Sequence, residues 1–470
     1  MKASTITKKT VNRRDFLKLA GLAGSATLLA SCAAKTTEPA VEQAPVEAEA
    51  PAAEKVTISW WNQFSTPTCQ EVFPKVVNDF MAIHPNIQVE FEISGGPPGG
   101  GDYFEVLLAR IAAGNPPDSI TLWTPPSQFG AQGALAAIDS YMDGAKLATK
   151  GAFYEGPLKS CQWKGQTFGL PASAGAGCMF FNKALFEEVG LSSKREDFPK
   201  TWNELKEYAK KLTKYDDTGA VAQAGFVPWS SRWLDPVWTA LNGGMIFDPE
   251  EVKYKIDSEN NIEMLAHWLS YLEDLYGGDI EAFNLVASWD DVYPNSGFNL
   301  GKAAISTSGA WAPTDAAIPF EFEIAKFPVG PKGSKSVTGF WPNWWGMPKG
   351  GPHPDEGFLF SEYMCTEGWV TWYENGTMDT PAWNKAPADI WCKAVETTFG
   401  LERAKDFHKF FTDYLVDTAV MWTSPIEEFA TNTLGEVIDQ VLHKVKSPAD
   451  AMKEAQATCQ SKLEETLKNL

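Results

Sequence analysis

Basic side chains are scarce: 40 Lys and Arg stand against 60 Asp and Glu, a formal charge of −20 over 470 residues. A surface of that sign repels nucleic acid and anionic lipid headgroups, so neither is expected as a partner. Histidine is scarcer still, with five residues at 84, 267, 353, 408 and 443. None lies three or four positions from another, and no H-E-x-x-H occurs, so a helix-borne metal pair is excluded. The chain also lacks a G-x-S-x-G elbow, a Walker loop and a clean G-x-G-x-x-G after a strand. Its seven cysteines include no C-x-x-C, which weakens zinc and thioredoxin-like readings. The six after Cys32 read as scattered structural thiols with room for one disulfide. No stretch beyond the N-terminal region reaches 18 consecutive apolar residues, so nothing there spans a bilayer as a helix. No cofactor is implied.

The N-terminus carries an address. Asn12-Arg13-Arg14-Asp15-Phe16-Leu17-Lys18 precedes a mild apolar run and then Leu29-Ala30-Ser31-Cys32. The twin arginines resemble a twin-arginine export signal, and Leu-Ala-Ser-Cys resembles a bacterial lipobox whose Cys32 becomes the acylated first residue. Removing residues 1–31 leaves 34 basic against 59 acidic side chains. Residues 32–54 are Ala/Pro/Glu-rich without an aromatic, too poor in apolar surface to offset ordering entropy, and read as a tether. The expectation is a lipid-anchored protein working outside the cytoplasmic membrane.

Beyond the tether, length and a 44% apolar content predict two to three globular domains. Val56 to Trp61 is β-rich, and a helical pattern runs from Thr68 to His84 with Val72, Val76, Val77, Phe80 and Met81 on one face. Ile87, Val89, Phe91 and Ile93 alternate as a strand. Gly95–Gly101 breaks the chain, Asp102 is placed to cap the next helix, and Ser119–Trp123 is strand-like. This β-α-β-α-β order predicts a parallel, helix-covered sheet. Thr201 and Glu204 match a capping box, Ala303–Ser308 reads as a strand, and 357–373 and 427–445 read as helices.

Tryptophan is abundant, with 19 residues. Trp60, Trp61, Trp123, Trp229, Trp233, Trp311, Trp341, Trp344 and Trp345 fall at strand ends or in Gly/Pro-rich turns. Open α/β sheets bind ligands beyond the carboxyl ends of their strands. Indoles there offer flat faces for sugar rings, with Asn62, Gln63, Arg232, Asp235, Asn343 and Asp379 nearby to take hydroxyls. Trp202, Trp268 and Trp369 lie in helical patterns and are expected in the core. The acid pairs Asp216-Asp217, Asp290-Asp291 and Glu427-Glu428 read as solvated surface rather than a glycosidase dyad.

Four motifs in order carry a family resemblance. They are Leu108-Ala109-Arg110-Ile111-Ala112-Ala113-Gly114-Asn115-Pro116-Pro117-Asp118, Gly169-Leu170-Pro171 with Met179–Phe186, Phe198–Leu205, and Phe298–Ala304 with Gly309-Ala310-Trp311. The chain from about residue 55 onward resembles the substrate-binding lipoproteins of bacterial carbohydrate ABC importers, the family that includes maltose-binding protein. The resemblance implies an α/β, two-lobed periplasmic-binding-protein-like fold with crossing hinge strands and ligand in the interlobe cleft. It implies a first lobe of 55–168 plus 340–375 and a second of 169–339 plus 376–470, with crossings near 168–174, 338–346 and 374–382. The implied site is Trp61, Asn62, Gln63, Trp123, Trp229, Arg232, Trp233, Trp311, Trp341, Asn343 and Asp379. Within 339–345, Trp341 and Asn343 are expected to face the cleft and Trp344 the core. Residues 173–178 carry no acid, so family members that use a carboxylate there are poor guides to this ligand. The implied protein is a monomeric, non-enzymatic carbohydrate binder serving a membrane permease. The alternatives are a secreted polysaccharide-active enzyme, or the same fold holding a non-sugar solute.

Overall fold

The computed structural model describes residues 55–93, 95, 103–341, 343–420 and 423–468. The export signal, Cys32, the tether and the Asp102 cap lie outside the described residues. Two sheets organise the described chain. In the first, strand Val56–Trp61 pairs in parallel with Ile87–Phe91 and with Ser119–Leu122. Trp344–Gly346 then joins antiparallel to Ser119–Leu122, and Gly169–Pro171 closes that edge. Helix Pro67–Ile83 covers one face, its Thr66 side chain capping the Cys69 amide. It buries Val72, Phe73, Val76, Val77 and Phe80 against Trp60, Trp345 and Trp369.

The second sheet is built around Gly175–Asn182, whose eight residues are all buried. One edge of this strand pairs with Ala303–Gly309. The other is shared between Phe322–Ala325, beside its second half, and Thr338–Trp341, beside its start. Val221–Phe226 extends the sheet in parallel beyond Ala303–Gly309. Helix Trp202–Leu212 begins with the expected capping box, Thr201 Oγ1 accepting from the Glu204 amide and Glu204 accepting from the Thr201 amide. The C-terminal helices Leu401–Thr418, Glu427–Leu442 and Pro448–Lys468 pack against this second core.

Three segments connect the sheets, and they bond to one another. Residues 172–174 join Pro171 to Gly175, Asn343 precedes the strand that starts at Trp344 in the second crossing, and 376–382 form the third crossing. Ala172 N donates to Asn343 O at 2.7 Å, Ala174 N to Thr380 O at 2.6 Å, and Ala382 N to Ala172 O at 2.9 Å. Ser173, fully buried, donates its hydroxyl to Trp341 O at 3.1 Å and accepts from Asn343 N at 3.1 Å.

Several expectations shift. Gly169–Pro171 belongs to the first sheet and Phe340–Trp341 to the second, so each boundary moves by two or three residues. The single helix expected over 357–373 is two, Pro354–Met364 and Glu367–Asn375, broken at Cys365 and Thr366. The six cysteines among the described residues are all free and buried, with no disulfide. Burial raises their thiol pKa values, Cys392 and Cys459 to about 11, which makes them packing residues. Trp202, Trp268 and Trp369 are buried as core residues. Trp345, fully buried against Trp60, Phe64, Phe73 and Trp369, anchors the first core. Trp345→Ala should therefore cost about 3–5 kcal/mol, read as a lowered midpoint in denaturant unfolding; a loss under about 1 kcal/mol would show that this indole is not the anchor.

Candidate functional site

Where the crossings meet, a cavity of about 370 Å³ opens between the lobes. Its wall draws on residues from both sheets and from loops and helices beside them. Trp311 follows the buried strand Ala303–Gly309 and caps the short helix Ala312–Asp315. Trp341 ends the strand Thr338–Trp341, and Trp233 sits in the turn Arg232–Leu234. Trp233 is the hub: its ring lies 4.3 Å from Trp341 at 87° and 5.1 Å from Trp311 at 45°. Trp123, 58% exposed, faces them from the first lobe beside Phe64.

Glycine permits this arrangement at two places. A Cβ on Gly309 would stand 2.2 Å from the Trp311 ring, and one on Gly339 would stand 2.4 Å from the Trp341 ring. Each indole therefore lies back over the glycine two residues before it.

Three carboxylates complete the wall. Asp291 Oδ2 accepts from Trp233 Nε1 at 2.9 Å, and its Oδ1 accepts from the Val292 amide at 2.7 Å. Asp315 Oδ1 accepts from Thr68 Oγ1 at 2.6 Å, a bond that crosses from the second lobe to the first. Asp379 Oδ2 accepts from Thr377 Oγ1 at 2.8 Å, whereas its Oδ1 has no hydrogen-bond partner among the described residues. Burial raises all three pKa values, Asp291 to about 6 and Asp379 to about 7. The Asn343 amide and Trp372 indole lie alongside Asp379 and lower its pKa somewhat, without closing a bond to Oδ1. A Cβ on Gly175 would stand 2.8 Å from Asp379 Oδ1, so the third crossing lays a carboxylate over the acid-free segment 173–178. No Lys, Arg or His lines this cavity among the described residues.

Of the expected residues, Trp123, Trp233, Trp311, Trp341, Asn343 and Asp379 meet here. Arg232 instead lines an adjoining compartment of about 220 Å³, reached past Trp123 and Trp341. There its Nε pairs with Asp235 at 3.2 Å, and its Nη1 lies 3.5 Å from Asp439. Four others lie elsewhere. Trp61 is buried edge-on to Tyr103 under the Arg110 guanidinium, because alternation along the strand sends it to the face opposite Trp60 and helix Pro67–Ile83. Asn62 is fully buried and closes its own turn, donating to Phe64 O at 2.6 Å and accepting from Phe64 N at 3.1 Å. Gln63 is buried and accepts from the Trp123 amide at 2.9 Å, so it positions that residue. Trp229 is buried edge-on between Tyr276 and Phe283. Trp344 is a core residue whose Nε1 donates to Ser160. Sequence reading missed Phe64, Asp291, Tyr293, Asp315 and Trp372, all of which line the cavity. Asp291 had looked like half of a solvated pair, but only Asp290 is exposed.

A two-lobed α/β chain with an aromatic interlobe cavity has a counterpart among known families. The model of the family described as bacterial extracellular solute-binding protein matches residues 65–371. The chain belongs to this family. A protein of Brucella abortus named as a binding protein is 35% identical to this solute-binding protein over 147 residues, 30% of this chain and 32% of that one. The multiple sugar-binding protein of Streptococcus mutans is 25% identical over 177 residues, 38% of either chain. The matches thus span about a third of the length of these curated relatives. Mannobiose-bound CpMnBP1 superposes with a TM-score of 0.68 at 25% identity, covering 86% of this chain and 99% of that one. An ABC substrate-binding protein of Listeria monocytogenes in complex with cycloalternan gives 0.71 at 20% identity, covering 87% and 100%. At such identities the likeness establishes the two-lobed periplasmic sugar-binding-protein fold.

The raised pKa of Asp379 has a consequence for stability. The folded chain holds its proton up to about pH 7, whereas the ordinary value is 3.8. Between those limits the folded state binds the extra proton, so ligand-free stability falls as pH rises through the window. Asp291 and Asp315 act in the same direction. Asp379→Asn should shrink that fall, seen as a smaller drop in melting temperature between about pH 4 and about pH 8. An unchanged drop would show that Asp379 is ionised throughout.

Proposed function

We propose that this protein is the extracytoplasmic substrate-binding component of an ABC importer, and that it holds a carbohydrate without chemically altering it. The observation that carries this reading is the triad Trp233, Trp311 and Trp341, glycine-backed at two of its members and set among Asn343, Asp291, Asp315 and Asp379. Flat indole faces match the apolar faces of pyranose rings, and side-chain amides and carboxylates bond their hydroxyls. The family and the sugar complexes of structurally similar proteins support the same class. Closure follows from the fold: ligand bridging the two lobes favours the arrangement in which both walls touch it.

The protein is monomeric and acts at the outer side of the cell membrane, anchored through acylated Cys32. The acidic tether holds the lobes near the permease that receives the sugar. Labelling cells with a clickable fatty acid should mark the wild-type chain and not Cys32→Ser; equal labelling of both would remove the anchor from this reading.

Saccharide binding is read most simply by thermal shift. Ligand at a hundredfold excess over Kd stabilises the folded state by about 2.7 kcal/mol, a clear rise in melting temperature. A panel of mono- and oligosaccharides that produces no shift, alongside a shift with a peptide or metal ion, would move the protein to another solute. Trp311→Ala should weaken sugar binding by about 1–3 kcal/mol and leave the fold intact. Unchanged affinity in the folded variant would show that the platform lies elsewhere.

A further inference from the structure

The space between the lobes does not end at Trp341. Next to the main cavity lies the compartment of about 220 Å³ that Arg232 lines, and Trp123, Trp233 and Trp341 border both spaces. The smaller compartment is built by both lobes as well. Trp123 and Thr124 come from the first, and Arg232, Asp235, Thr431 and Asn432 from the second. The lobes are tied together beside it. Gln132 Nε2 donates to Pro425 O at 3.1 Å, and the amide of Glu428, a lining residue, donates to Gln128 Oε1 at 3.0 Å.

Size decides how the two spaces relate. A ligand pocket that stands alone starts at about 300 Å³, so the smaller compartment is an extension of the main cavity rather than a second site. Its lining combines indole surface with a guanidinium, carboxylates, a hydroxyl and an amide, groups that suit a ring with an apolar face and a rim of hydroxyls. Thr431 and Asn432 lie exposed on helix Glu427–Leu442, and their side chains form no hydrogen bond to any described residue. Trp123 is the sharpest sign. Gln63 Oε1 fixes its amide at 2.9 Å, yet the residue is 58% exposed where the two compartments adjoin. Tryptophan is highly buried on average, and core packing does not account for one held in place with over half its surface open.

We infer that the ligand is an oligosaccharide long enough to place rings in both compartments, passing Trp123 between them, and not a monosaccharide. This rests on the carbohydrate-binding reading above and adds chain length to it. Thr431 and Asn432 are then specificity residues that meet the ring farther from Trp311.

Calorimetric titration of the mature protein tests this with malto-, cello-, manno- and xylo-oligosaccharides of one to five units. Within the series that binds, the best longer member should bind about tenfold or more tighter than its monosaccharide. Replacing the polar groups with bulk, in Thr431→Leu/Asn432→Leu, should weaken that member about tenfold and the monosaccharide much less. A monosaccharide that binds as tightly as every longer member overturns the length assignment and leaves the carbohydrate reading standing. A variant folded by circular dichroism that loses equally on both sugars, or on neither, overturns the assignment of the outer ring to this compartment. Failure of every member of every series to bind folded wild-type protein overturns the carbohydrate reading and the length assignment together. The wild-type series does not depend on the variant folding.

Discussion

The buried hydroxyl of Ser173 fixes two crossing segments to one another. It bonds the carbonyl of Trp341 and the amide of Asn343, so the first crossing grips the second on both sides of residue 342. The neighbouring backbone bonds from Ala172, Ala174 and Ala382 bring in the third crossing. All three segments lie outside regular strands and helices, so their amides and carbonyls have no ladder to satisfy them. They pair with one another instead, in a place shut off from water. The position of each cleft residue follows from this junction. Trp341 and Asn343 belong to the second crossing and Asp379 to the third, while Gly175 begins just past the first.

Around that junction, local chemistry and long-range packing divide the work. The strands bring Trp311 and Trp341 to the cavity edge, and Gly309 and Gly339 let them recline. Trp233 then packs against both, edge-on to Trp341 and tilted against Trp311, and is itself held by Asp291. The carboxylates are kept at a cost, since burial opposes their charge. The bond from Thr68 to Asp315, and those from Gln132 to Pro425 O and the Glu428 amide to Gln128, join the lobes across the cavity's rim.

Much of the fold was legible because its signals are local. Strict alternation over 87–93 and the Thr201–Glu204 box each need only neighbouring residues. The cleft was legible in part. Trp61 ends a strand and Trp311 follows one by two residues, and such positions alone do not say whether an indole faces ligand or core. A finer signal was present: Gly309-x-Trp311 and Gly339-x-Trp341 carry glycine two residues before the indole, whereas Ser59 precedes Trp61 and Val227 precedes Trp229. Gly339 and Trp341 share a face of one strand, so that glycine makes room for the ring, and the turn after Gly309 brings the Trp311 ring back over it. Asp291 and Asp315 were invisible by contrast. Their burial is created by segments more than 50 residues away, such as Trp233 and Thr68, and nothing beside them in the chain records it.

The spacing of the three cleft indoles also gives the protein an optical property. Trp233 stands 4.3 Å from one neighbour and 5.1 Å from the other, close enough for their excited states to mix and exchange energy. The group therefore emits as a coupled set of chromophores, and a solute that displaces water from one ring alters the emission of all three. Occupancy of the cleft is written into the protein's own fluorescence, without an added dye.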